Sequence, residues 1–210
     1  NTNDIFQSNW RDETEILDRD NTSGILDRGG TILGTSRWSP FQVDNGPRRV
    51  FDGLEKLGLE ALVVLGGEGT LSCASRLFKM GLPVVGIPKT IDNDVRETDF
   101  TIGFQTAVQI ATDELNRLRS TAESYHWVML LEVMGRHAGW IATYAGMANG
   151  ADAILFPEIP LDGDKVEEFC QMLISRRKGN KFYYCSRGRR NKIRRKNIWR
   201  DDCSERKENY

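Results

Sequence analysis

Up to about Asn180, short runs rich in β-branched residues and ending in Gly or Pro alternate with longer stretches whose apolar positions recur at helical spacing. The short runs predict strands at 61–65, 83–87, 127–133 and 153–156, and the longer ones predict helices at 47–57, 70–80, 105–121, 140–147 and 165–177. Each strand is apolar throughout, which is expected when helices cover both faces of a parallel sheet. This alternation is the βαβ signature, and the expected fold is α/β with a doubly wound, mostly parallel sheet. No internal repeat and no low-complexity linker interrupts it before residue 181.

With 210 residues and 39% hydrophobic content, the chain has enough apolar surface for a packed core. No run approaches the roughly 20 apolar residues of a membrane span, and the N-terminus has no basic-then-apolar secretory pattern, so a cytoplasmic setting is expected. The four cysteines, Cys73, Cys170, Cys185 and Cys203, have neither metal-ligand spacing nor the density of a disulfide scaffold. A net charge of −1 argues against a chain that binds nucleic acid along its whole length. Charge is nevertheless uneven, with eleven Lys and Arg against four acids from Lys181 to Tyr210.

Three loops that follow predicted strands carry candidate chemistry. Gly66-Gly67-Glu68-Gly69-Thr70 opens a predicted helix, where bare amides and the helix dipole can hold phosphate. A carboxylate such as Glu68 would be repelled there unless it helped to hold Mg²⁺, although the same glycines also suit a tight strand-to-helix turn. Pro88-Lys89-Thr90-Ile91-Asp92-Asn93-Asp94 offers two carboxylates and a hydroxyl, suited to general-base chemistry on an alcohol or to an Asx-type turn. Met134-Gly135-Arg136-His137-Ala138-Gly139 places a guanidinium where phosphate could be met bidentately. No Ser or Cys nucleophile stands out as a partner for His137, which reads as a packing or surface residue, as does His126. Upstream, the Gly-rich passage 28–37 ends in Arg37, a cation that could reach transferring phosphate charge.

In order and spacing, the Gly-Gly-Glu-Gly-Thr, Pro-Lys-Thr-Ile-Asp-Asn-Asp and Met-Gly-Arg-His-Ala-Gly-Trp stretches closely resemble the phosphofructokinases over roughly residues 22–181. The resemblance implies one lobe of a two-lobed glycolytic enzyme that moves a phosphoryl group to the 1-hydroxyl of fructose 6-phosphate. By position, Asp92 resembles the general base, with Thr90, Ile91 and Asp94 beside the reacting groups. Gly67, Glu68, Gly69 and Thr70 resemble the phosphate-donor loop, with Glu68 in the place of a magnesium-linked acid. Arg37 resembles the arginine spanning donor and acceptor phosphates, and Met134, Gly135 and Arg136 resemble sugar-phosphate contacts. The family's ATP users carry Gly where this chain has Gly69, whereas Lys89 matches its pyrophosphate users. The chain thus resembles a mixed subgroup, with ATP the expected donor and pyrophosphate the alternative. The implied partners are fructose 6-phosphate, ATP and, in a complete enzyme, further copies of the same subunit, with no nucleic acid and no membrane.

Other features depart from the family. Its opening strand and first Gly-rich nucleotide loop are not found in this sequence, which is expected of a lobe that begins late, and Trp127 stands where the family usually has an Arg. The expected second domain is replaced by the basic stretch 182–210, so an inactive fragment or binding module is the alternative from a different class. Residues 182–188 read one base forward permit Phe-Ile-Ile-Val-Ala-Glu-Gly, a buried-strand pattern. On that basis the lobe is expected to end at residue 181, leaving the helix at 165–177 without a closing strand and 182–210 as a non-native, frame-shifted segment.

Overall fold

The computed structural model describes residues 14–125 and 127–159, residues 168, 171 and 172, and the backbone of residues 181–186. The chain divides into two compact units, Asn1–Pro88 and Lys89–Tyr210.

In the first unit, a single-turn helix α1 (Arg19–Thr22) is capped by Asp18, whose carboxylate accepts from the amides of Asp20 and Asn21. After a 3₁₀ turn at Pro40–Gln42 come α2 (Gly46–Leu57), β1 (Leu62–Gly66), α3 (Glu68–Lys79) and the start of β2 (Val84–Thr90). Gly58 ends α2 in the left-handed conformation (φ 68°), its amide returning to Glu55 and Leu54 carbonyls, the common C-terminal stop for a helix. β1 and β2 pair in parallel, from Leu62 opposite Val84 to Gly66 opposite Pro88. Leu54, Leu77 and Leu82 form the core, joined by Phe41, Val50, Phe51, Leu62 and Cys73. The Arg76 guanidinium lies 3.5 Å from the centre of the Phe41 ring.

In the second unit the last two residues of β2 pair in parallel with β3 (Ile102–Gly103). There follow α4 (Phe104–Tyr125), β4 (Val128–Val133), α5 (Trp140–Asn149), β5 (Ala153–Leu155) and β6 (Lys181–Ser186). β6 lies between β4 and β5, parallel to both. Ala142 and Ala145, both fully buried, keep the inner face of α5 small. Phe104 and Leu115 of α4 fill the core they share with it. Hydrogen bonds fix the same two helices: Arg119 Nη2 donates to the Asn149 carbonyl (2.6 Å), and Asn149 Nδ2 donates to the Thr112 carbonyl (2.9 Å).

The expected parallel α/β fold is therefore present, with three corrections. The closing strand thought to be missing exists: Lys181–Ser186 is β6, and Phe182, Tyr183 and Tyr184 are residues that favour extended backbone. The frame reading of 182–210 thus loses the open crossover as a motive. Second, the two-residue strand β3, absent from the expected elements, pairs with the end of β2. Third, β1 and β4 alternate between covered and exposed residues, with Val63 and Leu130 about half exposed, because the described helices pack on one face of each. The helix expected at 165–177 falls largely outside the described residues. Cys73 is a free thiol.

Gly66 ends β1 where α3 begins, and a Cβ there would overlap the Thr70 side chain, whereas one at Gly69 would meet open space. Gly66→Ala is therefore expected to destabilise by about 1–3 kcal/mol, the usual effect of overpacking. Gly69→Ala should be neutral to stabilising by up to ~1 kcal/mol, since Gly is the poorer helix former. Thermal denaturation of the two variants checks the contrast.

Candidate active site

The first candidate loop lies wholly within the first unit. Gly67 is the N-cap of α3 and makes no side-chain cap hydrogen bond, so the first turn of a twelve-residue helix presents amides without a side-chain cap. Glu68 occupies that turn and is exposed, as is Thr70. This donor set suits Mg²⁺, which takes one or two carboxylates and completes its shell with water and substrate phosphate. Among the described residues no group of three or more His, Cys, Asp or Glu could hold a metal by itself. Arg37, in the same unit, sits exposed in an irregular segment.

The other two loops belong to the second unit. β2 ends at Thr90, whose Oγ1 accepts from the Asp92 amide (3.2 Å), turning the chain at once. Asn93 adopts a left-handed conformation (φ 52°) that Asn tolerates well. Its side chain does not bond neighbouring amides, as an Asx-type turn would require; Oδ1 accepts from the Thr101 amide at 2.9 Å, eight residues on. Thr90 and Asn93 thus make the turn, and the Asp92 carboxylate forms no hydrogen bond within the described residues. Burial holds the Asp92 carboxyl above its ordinary value of 3.8, the Asp94 charge pushes it further up, and the Arg136 guanidinium pulls it back. Arg136 is itself left-handed (φ 55°), in the turn closed by the Ala138 amide on the Gly135 carbonyl (2.8 Å). The structure therefore brings Asp92, Asp94 and Arg136 into one electrostatic group, with Gly135 buried beneath it and Met134 and His137 exposed. Asp94 Oδ1 is buried without a hydrogen-bond partner, a position that costs free energy unless a ligand supplies a donor. Residues 93–100, with Trp140 and Tyr144, line an open cleft of about 680 Å³.

Comparison with known proteins decides what these loops belong to. The phosphofructokinase family model matches residues 4–205. The chain belongs to the phosphofructokinase family. It is 51% identical over 176 residues to the pyrophosphate–fructose 6-phosphate 1-phosphotransferase of Streptomyces coelicolor, covering 81% of this chain and 51% of that protein. It is also 52% identical over 165 residues to the ATP-dependent 6-phosphofructokinase 3 of the same organism, covering 77% of this chain and 48% of that protein. Among solved structures, Pichia pastoris phosphofructokinase in the T-state superposes with a TM-score of 0.73 at 30% identity, covering 81% of this chain and 20% of that one. The chain spans about half the length of the curated relatives it matches.

Within this phosphofructokinase chain, sequence reasoning picked out the Asp92, Asp94 and Arg136 group but missed Thr101, which is 3% exposed and whose hydroxyl donates to the Thr90 carbonyl (2.7 Å). A lone Thr eleven residues downstream carries no local signal for such a bond. The aromatic stack Phe100, Phe104, Tyr144 and Trp140 beside the cleft was missed as well. Trp127, exposed at its edge of β4, stacks on Tyr125 with centroids 4.7 Å apart. No helix among the described residues is long and apolar enough to cross a membrane.

The electrostatic group makes a signed prediction. Asp94→Asn should lower the Asp92 midpoint and Arg136→Met should raise it, read by ¹³C NMR titration of the side-chain carboxyl. The folded value lies above the unfolded one, so the Asp92 contribution to stability is full below about pH 3.8 and is lost as pH rises through the raised value.

Proposed function

We propose that the chain is the catalytic lobe of an ATP-dependent 6-phosphofructokinase, transferring a phosphoryl group to the 1-hydroxyl of fructose 6-phosphate. The carrying observation is the half-buried pair Asp92 and Asp94 beside Arg136, with an Asp94 oxygen that lacks a donor. A sugar phosphate supplies what the Asp94 oxygen lacks, hydroxyls to donate, and its phosphate is of opposite charge to the Arg136 guanidinium.

In this reading Asp92 takes the proton of the attacking hydroxyl, and its raised basicity brings it nearer the pKa that a base needs at neutral pH. Asp94 Oδ1 accepts from a sugar hydroxyl and orients the acceptor. Thr90 and Ile91 shape the loop around the reacting hydroxyl, while Met134, Gly135 and Arg136 hold the sugar phosphate. On the donor side, Gly67, Gly69 and Thr70 receive the phosphates at the head of α3, and Arg37 stabilises charge developing on the transferred group. Glu68 would hold Mg²⁺, which when bound neutralises charge on the donor phosphates. A homo-oligomer at full length is part of the same proposal.

ATP is favoured as donor because Gly69 leaves open space where a larger residue would stand. Pyrophosphate is the second reading, supported by Lys89 and by the pyrophosphate-named relative.

Two measurements test the reaction in a full-length enzyme carrying this chain. Asp92→Asn should lower kcat by about 10²-fold or more with a much smaller change in KM for the sugar, because base catalysis contributes ~10²–10⁴-fold; near-normal turnover would refute the assignment. The open space at Gly69 lets Gly69→Asp fold normally, so its effect falls on the donor: use of ATP should drop far more than use of pyrophosphate. Equal losses with both donors would show that Gly69 does not set donor choice.

A further inference from the structure

Hydrogen bonds from downstream residues converge on the turn that carries Asp92. The Thr101 hydroxyl donates to the Thr90 carbonyl (2.7 Å), the Thr101 amide donates to Asn93 Oδ1 (2.9 Å), and Asn93 Nδ2 reaches the Asp99 carbonyl (3.4 Å). Thr101 is buried at 3% exposure and is tied to the core by the Phe104 amide, which donates to its carbonyl (3.2 Å). Phe104 is 1% exposed and anchors α4 against α5. Immediately after Thr101, β3 pairs with the end of β2, Ile102 opposite Lys89 and Gly103 opposite Thr90. The turn 90–94 is thus gripped on both sides of Asp92, at Thr90 and at Asn93, by a residue rooted in the core.

We infer that Thr101 and Asn93 are positioning residues for Asp92, forming a clasp that holds its carboxyl in the half-buried place beside Asp94 and Arg136. The inference rests on the proposed role of Asp92. Neither residue need touch substrate: Thr101 acts through Thr90, and Asn93 through its side-chain bonds to Thr101 and Asp99. Loosening the clasp lets water reach the Asp92 carboxyl, and desolvation is the largest cause of its raised value.

The test is ¹³C NMR titration of the Asp92 carboxyl in the 210-residue chain, with hydrogen exchange of α4 and β4 amides reporting the fold. Thr101→Val keeps the side-chain shape and removes the donor; the Asp92 midpoint should fall toward 3.8 while α4 and β4 protection persists. Thr101→Ser, which restores the hydroxyl, should return the wild-type midpoint. Should Thr101→Val fail to fold, Asn93→Gly, which keeps the left-handed backbone and removes the side-chain bonds to Thr101 and Asp99, should give the same fall. An unchanged midpoint in a folded Thr101→Val or Asn93→Gly chain, or a Ser variant that titrates like Val, overturns the clasp. The base assignment fails by a separate route, through normal turnover of Asp92→Asn, so the two failures are distinguishable.

Discussion

Keeping two carboxylates together in a half-buried turn is the constraint on which the second unit turns. Asp92 and Asp94 repel one another, burial penalises the charge on Asp92, and, among the described residues, the Arg136 guanidinium opposes both effects on it. Such an arrangement is unfavourable in isolation, because a buried carboxylate oxygen without a donor forfeits hydration. It persists when the surrounding structure over-determines it, as strained or under-satisfied groups do at binding sites. Two residues near it, Asn93 and Arg136, also hold left-handed backbone, which concentrates further strain in the same few positions.

The scaffold that bears this strain is built from ordinary means. Small residues on α5 let it approach α4 closely, and Phe104, Leu115 and Ile141 fill the space between them. Truncating a buried Phe such as Phe104 typically costs about 3–5 kcal/mol. In the first unit the same economy appears at Gly66, where the absence of a Cβ allows Thr70 to sit against the strand end and sets where the amides of α3 begin. In the second unit the candidate carboxylates and arginine stand on loops that leave the ends of β2 and β4.

Sequence reasoning found four of the six described strands and the four main helices to within a few positions, because their apolar runs and helical spacing are strong local signals. It also found the carboxylates and the arginine, since acids and cations in Gly-rich loops after strands are chemically conspicuous. It missed β6 because Lys181–Ser186 lies at the start of a strongly basic stretch and was judged by that charge, whereas strand pairing with β4 and β5 is a non-local gain that composition does not announce. It missed β3, only two residues long, and Thr101 for a related reason: a buried hydroxyl bonding a carbonyl eleven residues back is set by tertiary contact alone. The expectation of apolar strands covered on both faces failed at β1 and β4, where described helices cover one face.

The chain belongs to the phosphofructokinase family, and relatives named for ATP and for pyrophosphate are about equally similar to it. The proposal made for the acceptor is that the second unit recognises a sugar phosphate through the turn 90–94 and the turn at Arg136. Amide chemical-shift mapping of the 210-residue chain during titration with fructose 6-phosphate tests that claim most directly. The account predicts saturable shifts concentrated at Thr90 to Asp94 and at Met134 to Arg136, abolished by Arg136→Met and weakly mimicked by inorganic phosphate. Shifts absent from both turns at millimolar ligand, or an undiminished response in Arg136→Met, would contradict it.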